Sequence, residues 1–76
     1  MRRYYFPIIH NGETQADEAG ELLGSAELAI QYGARVARDI AGDPEYDRRA
    51  GTVVIVVDSA GAEIVRHSVG RGGAAG

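Results

Sequence analysis

The sequence predicts an α+β domain of two layers, ββαββ in order, with one helix packed on a four-stranded antiparallel sheet. Three observations carry this prediction. Thr52-Val53-Val54-Ile55-Val56-Val57 is β-branched and short, and such side chains lose rotamer freedom in a helix but pack well on a pleated surface. Between Ala26 and Ala41 apolar residues recur at three and four, the period of one helix face. Turn signatures, Asn11-Gly12 and Asp58-Ser59-Ala60-Gly61, separate apolar stretches at both ends of the chain. Hairpins at both ends with a helix crossing between them put that helix on one sheet face, with an expected strand order of 2-1-3-4.

The opening segment Tyr4-Tyr5-Phe6-Pro7-Ile8-Ile9 is aromatic and β-branched. Asn-Gly after such a run favours a tight I′ turn, since both residues tolerate positive φ. The chain then returns through Glu13-Thr14-Gln15-Ala16, a short polar strand suited to an edge. Pro7 cannot donate to a ladder, so either the strand bulges there or its nitrogen faces away from a neighbour.

Asp17 to Gly24 reads as a loop with two glycines and three acids. Ser25 precedes the helical pattern and can accept from an orphan N–H of the first turn, where Glu27 also favours the helix dipole. The apolar stripe is Ala26, Ala29, Ile30, Gly33, Ala37, Ile40 and Ala41, with Glu27, Gln31, Arg35, Arg38 and Asp39 outside it. Gly33 in mid-helix costs about 1 kcal/mol relative to Ala, which close backbone approach can offset. Gly42 is expected to end the helix as a left-handed cap, and Pro44 blocks any continuation.

A charged loop, Asp43 to Gly51, holds Tyr46 and Arg48-Arg49 and leads into the central strand. On that strand Val53, Ile55 and Val57 line one side, Val54 and Val56 the other. After the second turn, Ala62 to Val69 returns with Val65, His67 and Val69 on one face and Ile64, Arg66 and Ser68 on the other. Residues 1–69 thus form one domain, and the glycine- and alanine-rich tail 70–76 is expected to be disordered.

A chain of 76 residues buries roughly 60% of the surface its unfolded form exposes, so its core is marginal. No cysteine is present, which removes disulfides and thiolate metal sites as supplements. The net charge of −3, with eight arginines and no lysine, gives no general case for nucleic acid or an anionic membrane. No stretch approaches the roughly 20 apolar residues that span a bilayer, and Met1-Arg2-Arg3 lacks an export-signal core behind it. A cytoplasmic protein is the expectation.

The Arg3-Tyr4-Tyr5-Phe6 opening, Asp17-x-x-Gly20-x-x-Leu23, Ser25 before a helix carrying Ala29, Gly33 and Ala37, and Val54-x-Val56-x-Asp58-x-x-Gly61 occur in an order covering most of residues 3 to 65. In this the chain resembles a family of small, mostly alphaproteobacterial proteins described as a domain of unknown function, DUF6894. It departs from that pattern at Arg2, where Pro is usual, at Ala50-Gly51-Thr52, which replaces an aromatic, and in its glycine-rich end. The resemblance implies the same fold and implies no activity.

His10 and His67 are the only histidines, and neither stands in a ligand or catalytic motif; His10 is expected at an exposed turn and His67 on a strand face. Asp17, Glu18 and Glu21 are too sparse for a hard-cation loop, and Gly70-x-Gly72-Gly73 lies outside the strand-to-helix context of a phosphate cradle. No nucleophile-base pair is apparent, so neither an enzyme nor a cofactor is expected. Strand faces more apolar than one helix can cover point instead to self-association or a protein partner. The candidate interaction surface is Tyr5, Arg48, Arg49, Val54, Val56 and Arg66. Two alternatives remain. Arg2-Arg3, Arg48-Arg49, Arg66 and Arg71 beside Tyr4, Tyr5 and Tyr46 could grip single-stranded nucleic acid, and the opening strand, acidic Gly loop and Ala-rich helix are similar to the start of HicB-type antitoxins, whose longer second strand and Pro-Gly pair are absent here.

Overall fold

A computed structural model describes residues 1–69, apart from the side chain of Arg48. The elements are β1 (Arg2–Tyr4), β2 (Ile8–His10), β3 (Glu13–Gln15), β4 (Glu21–Leu23), α1 (Ala26–Ala41), a 3₁₀ turn (Arg48–Ala50), β5 (Val53–Val57) and β6 (Glu63–Ser68). The fold is α+β with one helix and antiparallel pairing throughout. The expected single four-stranded ββαββ sheet is corrected: β3-β2-β5-β6 form one sheet, and β1 and β4 form a second of two strands.

Pro7 and Asp17 account for the split. Tyr5 and Val57 exchange both backbone hydrogen bonds, at 2.8 and 2.9 Å. Two residues on, Ile55 N donates to Pro7 O at 2.9 Å, and Pro7 has no N–H to return. Pro7 therefore neither bulges out nor turns from its neighbour; it faces β5 and supplies an acceptor only. On the other flank the chain leaves the ladder between β3 and β4, and the Asp17 carboxylate takes its place. One oxygen accepts from Phe6 N at 2.9 Å and the other from Gly20 N at 3.1 Å. Gly20 has φ +68°, and a Cβ there would lie 2.6 Å from Tyr4 O, so only glycine fits the return into β4.

The hairpin turns follow the sequence. Asn11 and Gly12 have φ of 56° and 84°, the pair of positive values that a I′ turn needs. Asp58 Oδ1 accepts from Ala60 N and Ala62 N, both at 2.9 Å, holding the loop that closes on Gly61. Ser25 caps α1 by accepting from Leu28 N at 3.2 Å. At the other end Gly42 is right-handed, φ −83°, and not the left-handed cap expected; its N–H still satisfies Arg38 O at 3.0 Å, so the last turn closes without an inverted residue.

Helix α1 lies on the face of the main sheet that carries Val54 and Val56, both 0% exposed, with Ala29 and Ala37 of the helix and Tyr4, Phe6 and Val69 completing the core. Small residues along the stripe let the helix come close: a Cβ on Gly33 would meet Val56 Cγ2 at 2.6 Å and His67 Cδ2 at 3.1 Å. Tyr32, outside the expected stripe, packs its ring against Phe6 at 4.7 Å between centroids, the two planes tilted by 42°. Burial raises the Tyr32 hydroxyl above its ordinary pKa, and the negative charge of Glu21 adds to the effect.

Strand β6 carries a bulge. Val56 pairs with Val65, but Val57 pairs with Glu63, leaving Ile64 as the extra residue. Ile64 and Val65 consequently both pack against the core, which corrects the assignment of Ile64 to the opposite face. The predicted tail, 70–76, lies outside the described residues.

Candidate functional site

Two surfaces flank the main sheet, one on each side. The first is the outer face, away from α1. Pairing fixes its membership: Tyr5 opposes Val57, Ile9 opposes Val53, and Ile55 lies between Val53 and Val57 in the same phase. Ile55 is 9% exposed, and Tyr5, Ile9, Val53 and Val57 are half-buried. The row continues onto the small sheet, where Leu22 opposes Arg3 and is 50% exposed. Along β6 it is bordered by Glu63, Arg66 and Ser68, which oppose Val57, Ile55 and Val53. Helix α1 packs on the opposite face of the sheet, over Val54 and Val56.

The second surface is a groove of about 460 Å³ at the C-terminal end of α1. Ile8, His10 and Gln15 come from the first hairpin, Ile40 from the helix, and Tyr46 and Thr52 from the segment leading into β5. Thr52 is 2% exposed, and its hydroxyl lies 2.7 Å from His10 Nδ1. A buried hydroxyl requires a partner, and His10 Nδ1 supplies it, so the contact fixes the imidazole in the wall of the groove. His10 is thus a half-buried, bonded side chain and not the exposed turn residue expected. Tyr46 is held in the same way, its hydroxyl donating to Val69 O at 3.2 Å. Asp43, Glu45 and Asp47 form the rim; Asp43 and Asp47 accept from Glu45 N and Arg49 N, each at 2.9 Å. His67 lies elsewhere, its Nε2 3.0 Å from Ile30 O of α1. Among the described residues no three His, Asp or Glu side chains converge as metal ligands.

The residues picked from sequence do not form one surface. Val54 and Val56 are sealed beneath the helix, because the phase of β5 that faces α1 is theirs; Val53, Ile55 and Val57 occupy the outer face. Tyr5 and Arg66 do share that face. Arg66 is bound to Glu63 through two hydrogen bonds, at 2.8 and 2.9 Å. Arg49 sits in the 3₁₀ turn beside the Asn11 hairpin, where Asn11 N donates to Ala50 O at 2.9 Å. Arg48 shares the turn, and its side chain is outside the described set. Arg2 and Arg3 lie at the other end of the opening strand, Arg3 donating to Ala19 O at 2.7 Å. Tyr4 is buried. The described arginines and tyrosines therefore do not converge on a nucleic-acid cleft. The signal for the outer face is the alternation itself, but assigning its phase requires knowing which side the helix covers.

The family model described as Domain of unknown function (DUF6894) matches residues 3–70. The chain belongs to this family. No curated protein and no solved structure matches it, so this DUF6894 domain carries no activity over from a relative. No helix in its described residues is long and apolar enough to cross a membrane.

Proposed function

We propose that this DUF6894 domain is a small non-enzymatic interaction module that associates through the outer face of its sheets, with a second copy of the chain as partner. The observation that supports the reading is the apolar row Leu22, Tyr5, Val57, Ile55, Val53 and Ile9 on the sheet face opposite α1, in which Leu22 is exposed and Tyr5, Val57, Val53 and Ile9 are half-buried around Ile55. Contiguous apolar surface of this kind marks association sites. The thin core points the same way: its fully buried large side chains are Val54 and Val56, and a second apolar layer would give the sheet the cover that one helix supplies on one side only. The non-enzymatic part rests on Thr52 and His10. Their contact, 2.7 Å from Nδ1 to the hydroxyl, has the form of a nucleophile and a base, but Thr52 is 2% exposed and no third group among the described residues orients the imidazole as a triad would.

Sedimentation equilibrium from micromolar to millimolar chain, beside Val53→Lys and Leu22→Glu, tests the proposal. The expected result is a mass above the 8.0 kDa of one chain that falls to the monomer in both variants while circular dichroism stays native. A monomer across the whole range overturns it. The arginine-based nucleic-acid and antitoxin-like readings have less support, since Arg2-Arg3 and Arg49 stand at opposite ends of the opening strand.

A further inference from the structure

We propose that the groove at the C-terminal end of α1 binds an organic cation, a protonated amine or guanidinium carried on a short aliphatic stem. This inference is independent of the outer face, because the groove opens on the helix side of the sheet. Its volume, about 460 Å³, falls in the range of small-molecule sites. Two of its walls are fixed in advance: the His10 ring by the buried Thr52 hydroxyl at 2.7 Å, and the Tyr46 ring by Val69 O at 3.2 Å. A ligand therefore meets side chains whose ordering cost is already met by folding. Ile8 and Ile40 provide the apolar surface on which an aliphatic stem can lie.

The sign of the charge follows from what surrounds those walls. The groove lies at the helix end where the backbone dipole is negative, and cations are favoured there. Asp43 and Asp47 are each held by a backbone N–H bond to one carboxylate oxygen, Oδ1. The Tyr46 ring adds the attraction of an aromatic face for a cation. An anion would find the same groove repulsive. The chemistry thus selects the end group, while the stem takes the apolar floor; a free diamine and a basic side chain of a peptide both have it.

Amide chemical-shift titration of the full chain with agmatine, with a blocked arginine dipeptide and with glutarate as the anionic control separates these sources. The expected result is saturable shifts at Ile8, His10, Ile40, Tyr46 and Thr52 with a Kd on the order of 1 mM or tighter for agmatine, the dipeptide or both, and none with glutarate. Agmatine alone assigns the groove to free amines, and a tighter dipeptide assigns it to basic peptides. The variant Asp43→Asn/Glu45→Gln/Asp47→Asn keeps the backbone-capping oxygens and removes the charge, and about a tenfold loss of affinity is expected. No saturable shift with either cation, unchanged affinity in the neutral variant, or equal shifts with glutarate each overturn the proposal. The same spectra of Leu22→Glu keep groove binding separate from association through the outer face.

Discussion

Arg66 donates from Nε to Glu63 Oε2 at 2.8 Å and from Nη2 to Glu63 Oε1 at 2.9 Å, three residues apart on one strand. A regular strand sends residues i and i+3 to opposite faces. The bulge at Ile64 restores the phase, so acid and base stand together on the outer face. The ion pair is thus a product of the backbone irregularity.

Hydrogen bonding from Arg66, with its positive charge, holds the Glu63 carboxyl below the ordinary carboxylate value. A depressed folded-state pKa gives stability that is present above the unfolded value, about 4.5, and lost as pH falls through the folded one. Both side chains are exposed, 43% and 53%, so the effect is screened by salt. NMR titration of the Glu63 carboxyl should show its midpoint rise in Arg66→Gln, and rise in the native chain when salt is raised to about 1 M, where the Debye length is about 3 Å. An unchanged midpoint in Arg66→Gln would show that the pair does not govern the carboxyl.

Tyr32 titrates in the opposite sense. Burial first, and then Glu21, raise its pKa above 10.0. Its neutral form is favoured in the fold, giving stability that is full below the unfolded value and lost as pH rises through the folded one. Absorbance titration near 295 nm, compared with Tyr32→Phe, should assign the latest-ionising phenol to Tyr32. Glu21→Gln should move it only part of the way back, since burial is the larger cause.

Gly33→Ala should destabilise the fold although alanine is the better helix former. Propensity favours the change by about 1 kcal/mol, while overpacking costs about 1–3 kcal/mol. The new Cβ would lie 2.6 Å from Val56 Cγ2, a methyl on a β-branched side chain with little freedom to move aside, so the loss should win. Urea unfolding is expected to show lower stability, with Val56→Ala costing less in the Gly33→Ala background than alone.

Asp17→Ala removes the acceptor for both Phe6 N and Gly20 N, and leaving part-buried donors unmet costs about 1–3 kcal/mol. Asp17→Asn retains one acceptor oxygen and should lose less. Amide exchange should quicken first at Phe6 and Gly20, and equal loss in both variants would mean that charge, and not the two bonds, is what matters there.

Thr52→Val keeps the shape and deletes the hydroxyl that His10 Nδ1 meets. A loss of about 1 kcal/mol is expected, along with a change in the His10 ring nitrogen shifts. Unaltered nitrogen shifts would mean that the ring is oriented by something else.

Local chemistry makes several elements legible in the sequence alone. The β-branched run marks β5, Asn11-Gly12 marks the first turn, and Ser25 marks the start of α1, because each signal acts over a few neighbouring residues. The parts that escape depend on partners distant along the chain. Glu21–Leu23 has no strand pattern of its own and becomes β4 only through pairing with β1. Asp17 reads as a loop acid until Phe6 N is found facing it. The bulge at Ile64 leaves no trace in composition, yet it moves a residue to the other face. The groove is illegible for the same reason: His10 and Thr52 are far apart along the chain and meet only because β2 lies beside β5.

The two borders of the main sheet bear on how the proposed association could grow. β3 is a short strand of Glu13, Thr14 and Gln15, all exposed, and β6 is interrupted at Ile64. Neither border offers the long flat template that recruits chain after chain into a ribbon. If the domain pairs through its outer face, as proposed, a twofold stack uses up its own contact surface. Such a pair would present no further outer face to a third chain and no long edge for fibril growth.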